Sequence, residues 1–311
     1  MKIFVTGGAG QVGSTVIDKL LARGDTVVAI DNFATGRRDN LSGHKNLKLI
    51  EGSIADREIV DSAFSKFRPE VVIHTAASYK DPEDWGTDSL VNATGTAVIA
   101  KASKGHGVSR LIYFQTALCY GTKPVQQPIR LDHPINPVNS SYAISKTAGE
   151  HYVQLSGVDW VTFRLANVIG ERNVSGPLPI FFERLSAGKK CFVTTARRDF
   201  CYAGDLANVV IQAVDGKGKG TYHFSSGQDV AIKELYDAVV AALKLNDYPE
   251  PEIRPLGPDD APSILLDPAR TFQDFGDISF TSLPRIAELA VARWRELGVQ
   301  GGYTHLKIEN T

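Results

Sequence analysis

The sequence has 311 residues, 43% of them hydrophobic, which is enough for one large domain or two fused domains and excludes disorder along the whole chain. Its 34 Lys and Arg residues nearly balance its 35 Asp and Glu residues, so no basic surface for general nucleic-acid binding is expected. Three scattered cysteines do not suggest a disulfide framework or a zinc site, and the apolar runs are too short to span a membrane. These features predict a cytoplasmic protein without a bound metal.

Apolar runs and helical patterns alternate along the first half of the chain. The run Lys2–Thr6 leads into a glycine-rich turn and then into a helix that Gly24 ends. This alternation is typical of an α/β fold whose mostly parallel, doubly wound sheet is covered on both faces. Beyond residue 165 the alternation weakens and prolines cluster. Further strands are predicted at 26–30, 47–50, 71–74, 111–114 and 161–164, with helices that include 89–104 and 140–155.

The turn after the first strand reads Gly7-Gly8-Ala9-Gly10-Gln11-Val12-Gly13. Glycines at such positions let the backbone approach a pyrophosphate, which the N–H groups of the following helix bind. Asp31 ends the second strand, where a carboxylate accepts hydrogen bonds from the adenosine ribose and repels a 2′-phosphate. The pattern therefore favours NAD over NADP, and Arg37 and Arg38 are interpreted as solvated charges of the next loop.

Three polar residues later in the chain suggest proton transfer. Tyr142 and Lys146 are spaced so that both lie on one face of the predicted helix. A free tyrosine has a pKa of about 10, and a neighbouring ammonium, reinforced by a nicotinamide cation, favours the phenolate, which can take a proton from an alcohol. Thr116 follows the fifth strand, at the edge where parallel α/β sheets bind ligands. Taken singly, these residues also fit a surface pair and a plain end-of-strand threonine.

The order of these features along the chain is more specific than any one of them. They are, in sequence, the glycine turn, Asp31, Asn92, Thr116, Tyr142 and Lys146. This order resembles the extended short-chain dehydrogenase/reductase superfamily, in particular its NAD-dependent nucleotide-sugar epimerase/dehydratase family. Residues 164–170 and 198–200 carry further marks of that family.

The resemblance covers essentially the whole chain and implies its organisation. We expect a Rossmann-type NAD-binding domain at 1–165, to which segments around 197–224 return. A smaller, interleaved C-terminal region at 166–311 is expected to bind mainly the substrate, a nucleotide sugar. The family also implies a homodimer, in which helices around 92–104 and 141–155 of two subunits form a four-helix bundle.

The resemblance implies roles for individual residues. Tyr142 is the expected base, Lys146 holds the nicotinamide ribose, and Thr116 contacts the sugar hydroxyl. The residues expected to bind NAD are Gly7, Gly10, Gln11, Val12, Gly13, Asp31, Asn32, Ser53, Ile54, Thr75, Ala76, Ala77, Asn92, Tyr142 and Lys146.

Substrate contacts are expected from the later part of the chain and from one loop. Asn167 and Arg198 match family residues that contact the diphosphate or the sugar, although Arg198 also fits an ion pair with Asp199 or Asp205. We expect Lys80 to meet a substituent of an uncommon sugar, such as a uronate. A solvent-facing loop is the alternative for Lys80.

Three positions depart from the family pattern or need another explanation. Ser53 replaces an Asp that commonly binds the adenine amino group, and Ser is the weaker acceptor. Gly257 aligns with a family Arg that binds the diphosphate, so that contact is lost unless Arg254 reaches over. His74 follows a buried strand and is interpreted as a structural histidine.

The residues after Thr116 distinguish between the reactions of the family. Family dehydratases carry Asp-Glu there, and decarboxylases carry a Glu at the place of Leu118, whereas Ala117 and Leu118 are aliphatic. The resemblance therefore implies epimerisation of a nucleotide sugar, of the UDP-sugar type and at C4, with NAD retained. Two alternatives are a sugar-nucleotide reductase or dehydrogenase with net redox, and a non-catalytic NAD-sensing protein on the same fold.

Overall fold

The computed structural model describes residues 1–79, 81–138, 140–257 and 260–299. The strands are β1 (Lys2–Thr6), β2 (Thr26–Asp31), β3 (Leu47–Glu51), β4 (Val71–His74), β5 (Arg110–Thr116), β6 (Asp159–Leu165), β7 (Asn167–Ile169), β8 (Phe192–Thr194), β9 (Arg197–Arg198), β10 (Phe200–Tyr202), β11 (Gly220–Phe224), β12 (Val230–Ala231) and β13 (Glu252–Arg254). The α-helices are α1 (Gln11–Ala22), α2 (Arg57–Phe67), α3 (Trp85–Asp88), α4 (Thr96–Gly105), α5 (Ser141–Leu155), α6 (Pro177–Ser186), α7 (Ala203–Val214), α8 (Ile232–Leu243), α9 (Ala269–Phe275) and α10 (Leu283–Leu297).

Seven of the described strands form one parallel sheet. Their order is β11-β6-β5-β4-β1-β2-β3, so the order reverses beside β1. Alternate residues of β1 bury on opposite faces: Ile3 and Val5 join one apolar cluster, and Phe4 joins another. Burial on both faces explains why the strands are short continuous apolar runs in the sequence.

Helices cover both faces of the sheet. On one face α1 and α7 pack with residues such as Ile17 and Leu206, and on the other α2, α4 and α5 pack with residues such as Phe64, Ile99 and Val153. The fold is thus a doubly wound α/β fold of the Rossmann type, as the sequence predicts.

The chain after β6 builds a second apolar cluster. Helices α6, α8 and α10 contribute residues that include Phe181, Leu235 and Ile286, and the rings of Phe182 and Trp294 lie 5.2 Å apart. Three short strand pairs accompany them: β7 with β10, β8 with β13, and β9 with β12. Strand β11 and helix α7 lie on the main sheet, so this part of the chain is interleaved with the first.

The predicted helix at 89–104 is not continuous. Residues Ser89–Gly95 form a wider π-helical turn, and regular α-helix begins only at Thr96. Such turns often accompany functional sites. Here the wider turn contains Asn92, whose side chain is fully buried and bonds to the loop after β4.

In the described residues, no helix is both long and apolar enough to cross a bilayer. The same residues contain no cluster of His, Cys, Asp and Glu that could hold a metal ion.

Packing between α7 and the sheet is expected to carry much of the stability. Leu206→Ala removes a fully buried side chain and should lower the free energy of unfolding by about 2–5 kcal/mol. Val125→Ala is the control, because Val125 is 87% exposed and should change that energy by less than about 0.5 kcal/mol. Chemical denaturation measures both, and equal effects would contradict this packing.

Candidate functional site

A cleft opens at the carboxyl ends of β1, β2 and β4. This is where parallel α/β sheets bind ligands, beside the point at which strand order reverses. Nine residues predicted to bind NAD line it: Gly7, Gly10, Asp31, Asn32, Ser53, Ile54, Thr75, Ala76 and Ala77.

The glycine turn brings the backbone close to the loop after β4. Gly7 has a φ of +63°, and a Cβ there would lie 2.7 Å from Cα of Ala76. A Cβ on Gly13 would lie 2.3 Å from the carbonyl oxygen of Gly7, so α1 packs directly on the turn. Gly10 precedes α1 and has no side chain to cap its first N–H groups, which stay available to an anionic ligand.

Asp31 shapes the opposite wall of the cleft. Its buried carboxylate accepts hydrogen bonds from the N–H groups of Ala9 and Phe33, each at 2.8 Å. Burial raises the pKa of Asp31, and those N–H bonds oppose the increase. A carboxylate has about four acceptor sites, so capacity remains for ribose hydroxyls.

The two arginines beyond Asp31 form ion pairs with acidic neighbours. Arg37 bonds to Asp39, and Arg38 bonds to Glu51 and lies over the ring of Phe33. Acidic neighbours therefore balance both charges. Arg38 is solvated, as the sequence interpretation expects, whereas only 16% of the Arg37 side chain is exposed.

The base of the cleft comes from two loops. Ser53 accepts a hydrogen bond from the N–H of Ala55, and Ile54 is buried against Gly95. Thr75 donates to the carbonyl oxygen of Thr6 at 2.6 Å, and the N–H of Ala76 donates to the Thr6 hydroxyl.

Asn92 and His74 lie behind these loops. Asn92 accepts from the N–H of Ser78, donates to the Ser78 carbonyl oxygen and donates to the hydroxyl of Ser145 on α5. It therefore ties the loop after β4 to α5. The imidazole of His74 bonds to the hydroxyls of Thr6 and Thr96, and burial holds its pKa well below the ordinary value, as suits a structural histidine.

Lys146 is almost completely buried on α5, with 2% of its surface exposed. Its ammonium lies 4.1 Å from the centre of the Tyr113 ring, and the Tyr113 hydroxyl donates to the Lys146 carbonyl oxygen. Burial lowers the pKa of Lys146 to about 7, and Glu150 opposes that effect. The side chain is therefore divided between amine and ammonium near neutral pH.

Tyr142 lies one helical turn before Lys146, near the start of α5. Its ring contacts that of Tyr79, with the two centres 4.4 Å apart. Tyr79 also lines the cleft, so the Tyr142 ring is adjacent to the cleft wall.

Thr116 ends β5, which packs against α5. Its hydroxyl oxygen accepts from the N–H of Leu118 and begins the 3-10 turn Ala117–Tyr120. Ala117 and Leu118 bring no ionisable group to this edge of the sheet. Burial raises the pKa of Cys119 in the same turn to about 12, which makes it a poor nucleophile.

The expected substrate residues lie at the edge of the C-terminal region. Asn167 is exposed on β7, where it pairs with Phe200, close in the chain to Arg198. Arg198 donates to the carbonyl oxygens of Arg197 and Ala261. Burial lowers the pKa of Arg198, and the attraction of Asp260 and Tyr79 opposes this effect.

The alternative ion pairs of Arg198 are not formed. Asp199 accepts instead from Ser225 and Ser226, and Asp205 accepts from Thr281. Lys80 lies outside the described residues.

Two further predicted residues link the glycine turn to its surroundings, and the contacts of Gly257 and Arg254 are local ones. Gln11 donates to the carbonyl oxygen of Val168 on β7 at 3.3 Å, and Val12 packs on the apolar cluster beside α1. Gly257 carries no side chain to bind a diphosphate, and its N–H donates to Asp260. Arg254 lies over the Phe192 ring and pairs with Glu252.

The sequence did not identify some residues of the site. Gly36 lines the cleft, and a Cβ there would lie 2.7 Å from the Asp31 carboxylate. Its position five residues after Asp31 was the feature of the sequence that could have identified it. Gln115 accepts a hydrogen bond from the N–H of Thr116 and donates one to Glu150, which lies one helical turn after Lys146. Their signals were a Glu one helical turn after Lys146 and a polar residue in an apolar strand.

Comparisons with known proteins agree with this geometry. The sequence model of the NAD dependent epimerase/dehydratase family matches residues 3–224. A UDP-glucose 4-epimerase of Mycolicibacterium smegmatis is 32% identical over 269 residues, covering 80% of this chain and 85% of that protein.

Two solved structures are also similar over nearly the whole chain. That of the Bordetella bronchiseptica enzyme WbmH in complex with NAD+ has a TM-score of 0.94 and 64% identity, covering 96% of this chain and 99% of WbmH. That of the B. bronchiseptica enzyme WbmG in complex with NAD and UDP has a TM-score of 0.90 and 40% identity, covering 99% of each chain.

Burial of Lys146 should make the protein less stable at neutral pH than at alkaline pH. The unfolded chain binds a proton at this lysine up to about pH 10.5, and the folded chain only up to about 7. The loss of stability that comes from burying the Lys146 ammonium is therefore complete below pH 7 and disappears as the pH rises to 10.5.

Lys146→Met, with NAD removed, should raise the free energy of unfolding at pH 6.5 by a few kcal/mol, since each pKa unit corresponds to about 1.4 kcal/mol. The advantage should shrink toward pH 10.5. The exposed Lys101→Met is the control, and denaturation series across this pH range measure both. A pH-independent difference would contradict the assigned cause.

Proposed function

The chain belongs to the NAD dependent epimerase/dehydratase family, and we propose that it catalyses the NAD-dependent 4-epimerisation of a UDP-sugar. The observation that carries the proposal is the edge of the sheet at Thr116, where Tyr142 and Lys146 lie on the adjoining helix and Ala117 and Leu118 offer no acid or base for loss of water. Relatives named UDP-glucose 4-epimerase and a neighbour crystallised with NAD and UDP support the same reaction.

The cleft has the chemistry that NAD requires. We assign the pyrophosphate to the N–H groups at the start of α1 beyond Gly10, and the adenosine ribose to Asp31. Small side chains at Ala76 and Ala77 leave room beneath the cofactor. The negative charge of Asp31 and the paired states of Arg37 and Arg38 favour NAD over a cofactor with a 2′-phosphate.

The proposed chemistry moves one proton and one hydride and returns both. NAD, when bound in the cleft, would supply reversible hydride chemistry at the sugar carbon. Tyr142 takes the proton of the 4-hydroxyl as the carbonyl forms, and the positive charge of Lys146 stabilises its phenolate. Thr116 hydrogen-bonds the same sugar oxygen. After the keto sugar turns over, Tyr142 returns the proton and the hydride enters the opposite face.

The substrate is proposed to lie between the cleft and the C-terminal region. Arg198 suits a diphosphate because its guanidinium presents several N–H donors in one plane, and Asn167 lies beside it on the next strand pair. A cytoplasmic location stays a prediction.

We also propose a homodimer formed through α5. Ile144, Tyr152 and Leu155 lie on one face of this helix and are 53%, 42% and 76% exposed. Leu90, on the neighbouring turn, is 52% exposed. Contiguous exposed apolar side chains of this kind mark interfaces between proteins.

The function is tested by incubating the purified protein with a panel of UDP-hexoses and following the anomeric protons by NMR. We expect interconversion of 4-epimers without added NAD and without net NADH, because the hydride is returned. Tyr142→Phe should lower turnover by at least about a hundredfold, in the range of general acid–base catalysis, while NAD stays bound. Stoichiometric NADH would instead indicate a dehydrogenase.

The dimer is tested by sedimentation velocity at micromolar concentration. The native chain should sediment as a dimer and Tyr152→Glu/Leu155→Glu as a monomer, because two charges would be buried without partners. Val125→Glu adds a charge at another exposed position and should leave the dimer intact. A monomeric native chain would refute the proposal.

A further inference from the structure

A row of buried polar residues crosses three neighbouring strands behind the site. Gln115 on β5, Arg164 on β6 and His223 on β11 are direct register partners, so they lie side by side on one face of the sheet. All three are at least 95% buried. Polar side chains are rare in such a place unless each is hydrogen-bonded.

Two residues of this row donate hydrogen bonds to Glu150 on α5. Arg164 donates to both of its carboxylate oxygens at 3.1–3.3 Å, and Gln115 donates at 3.2 Å. The other end of the Gln115 amide accepts from the N–H of Thr116 at 2.8 Å. Glu150 is 1% exposed, so its charge is held in one place and shielded from water.

The row ends at His223, and the neighbours of this residue determine which ring nitrogen carries the proton. His223 Nδ1 faces the carbonyl oxygen of Asp267 and must donate, so Nε2 accepts from the Tyr120 hydroxyl. Burial lowers the pKa of His223 to about 4, in agreement with a neutral ring. Arg164 donates to the same Tyr120 oxygen at 2.6 Å. Arg164 and Glu150 are therefore the only charges in the row among the described residues.

Lys146 lies one helical turn before Glu150. Burial alone favours its neutral form, and Glu150 is the group that acts in the other direction. Among the residues that the structure describes, no other group assigned to the surroundings of Lys146 supplies a fixed negative charge. Tyr113 on β5 and His74 on β4 are buried and neutral, Tyr142 on α5 is the proposed base, and Arg164 on β6 is positive.

We propose that Glu150, fixed by Arg164 and Gln115, is a positioning residue whose charge keeps Lys146 in its ammonium form beside Tyr142. This inference rests on the proposed epimerisation only for its consequence in catalysis. Glu150 touches neither cofactor nor substrate and acts through Lys146. Arg164 is required because an isolated buried carboxylate would take up a proton instead of holding its charge.

The test uses Glu150→Gln, which removes the charge and keeps an oxygen that can accept from Gln115. The protein is labelled with [ε-13C]lysine, and the Lys146 signal is identified by its loss in Lys146→Met. We expect Lys146 to titrate at least about one pH unit lower in Glu150→Gln than in the native chain. The fall of kcat at alkaline pH should move down by a similar amount, because the variant amine is neutral over a wider range.

Two further variants separate charge from packing. Thr221→Val removes a hydrogen bond to the same carboxylate without changing its charge, and should leave the Lys146 titration and the pH profile unchanged. Glu150→Gln/Arg164→Gln leaves no unpaired buried charge, so it serves if the single variant does not fold. It should show the same downward direction, because Glu150, and not Arg164, is the charge that opposes loss of the Lys146 proton.

The outcomes are distinct. An unchanged Lys146 titration in both Glu150 variants would overturn the inference and leave Glu150 as a structural ion pair. The titration needs no substrate. If no UDP-sugar is epimerised but Lys146 titrates lower in the variant, the proposed function fails and the action of Glu150 on Lys146 stands.

Discussion

Keeping Lys146 charged costs free energy, because α5 buries it against β5 and away from water. The same exclusion of water strengthens every electrostatic interaction of the ammonium, including the one proposed with the Tyr142 phenolate. The buried polar residues around α5 can be understood from this balance between the cost of burying the ammonium and its stronger interactions. Glu150 opposes the loss of the proton, Arg164 balances Glu150, and Tyr120 and His223 satisfy the remaining donors. A central parallel sheet, normally apolar on both faces, therefore carries one polar row where α5 crosses it.

Side-chain hydrogen bonds as well as packing link the elements around the site. Gln11, at the start of α1, donates to the backbone of β7, and β7 pairs with β10 beside Arg198. Asn92 ties the loop after β4 to α5. The proposed reaction transfers a hydride twice, so cofactor, base and sugar must keep their relative positions, and these hydrogen bonds connect the elements proposed to position them.

Much of the fold and part of the site were predictable from the sequence. Strands such as β1 and β4 are continuous apolar runs because both faces are buried, and the glycine turn and Asp31 are adjacent in the sheet as the motif predicts. The π-helical turn at Asn92 was not predicted, and neither was the hydrogen bond from Ser78 to Asn92, which only the folded chain forms. The assigned catalytic and binding roles stay predictions, because they require ligands to be tested.

The polar row shows most clearly why the remainder needed the structure. Gln115, Arg164 and His223 are separated by 49 and 59 residues along the chain, and each is a polar exception in an apolar strand. Only strand register reveals that the three exceptions are neighbours. Their adjacency explains their burial, because Arg164 and Gln115 bond to Glu150 and neither the guanidinium nor the carboxylate is buried without a partner. The spacing of Tyr142 and Lys146 can therefore be read from one helix, whereas the charge that the lysine needs depends on the order of the strands beneath it.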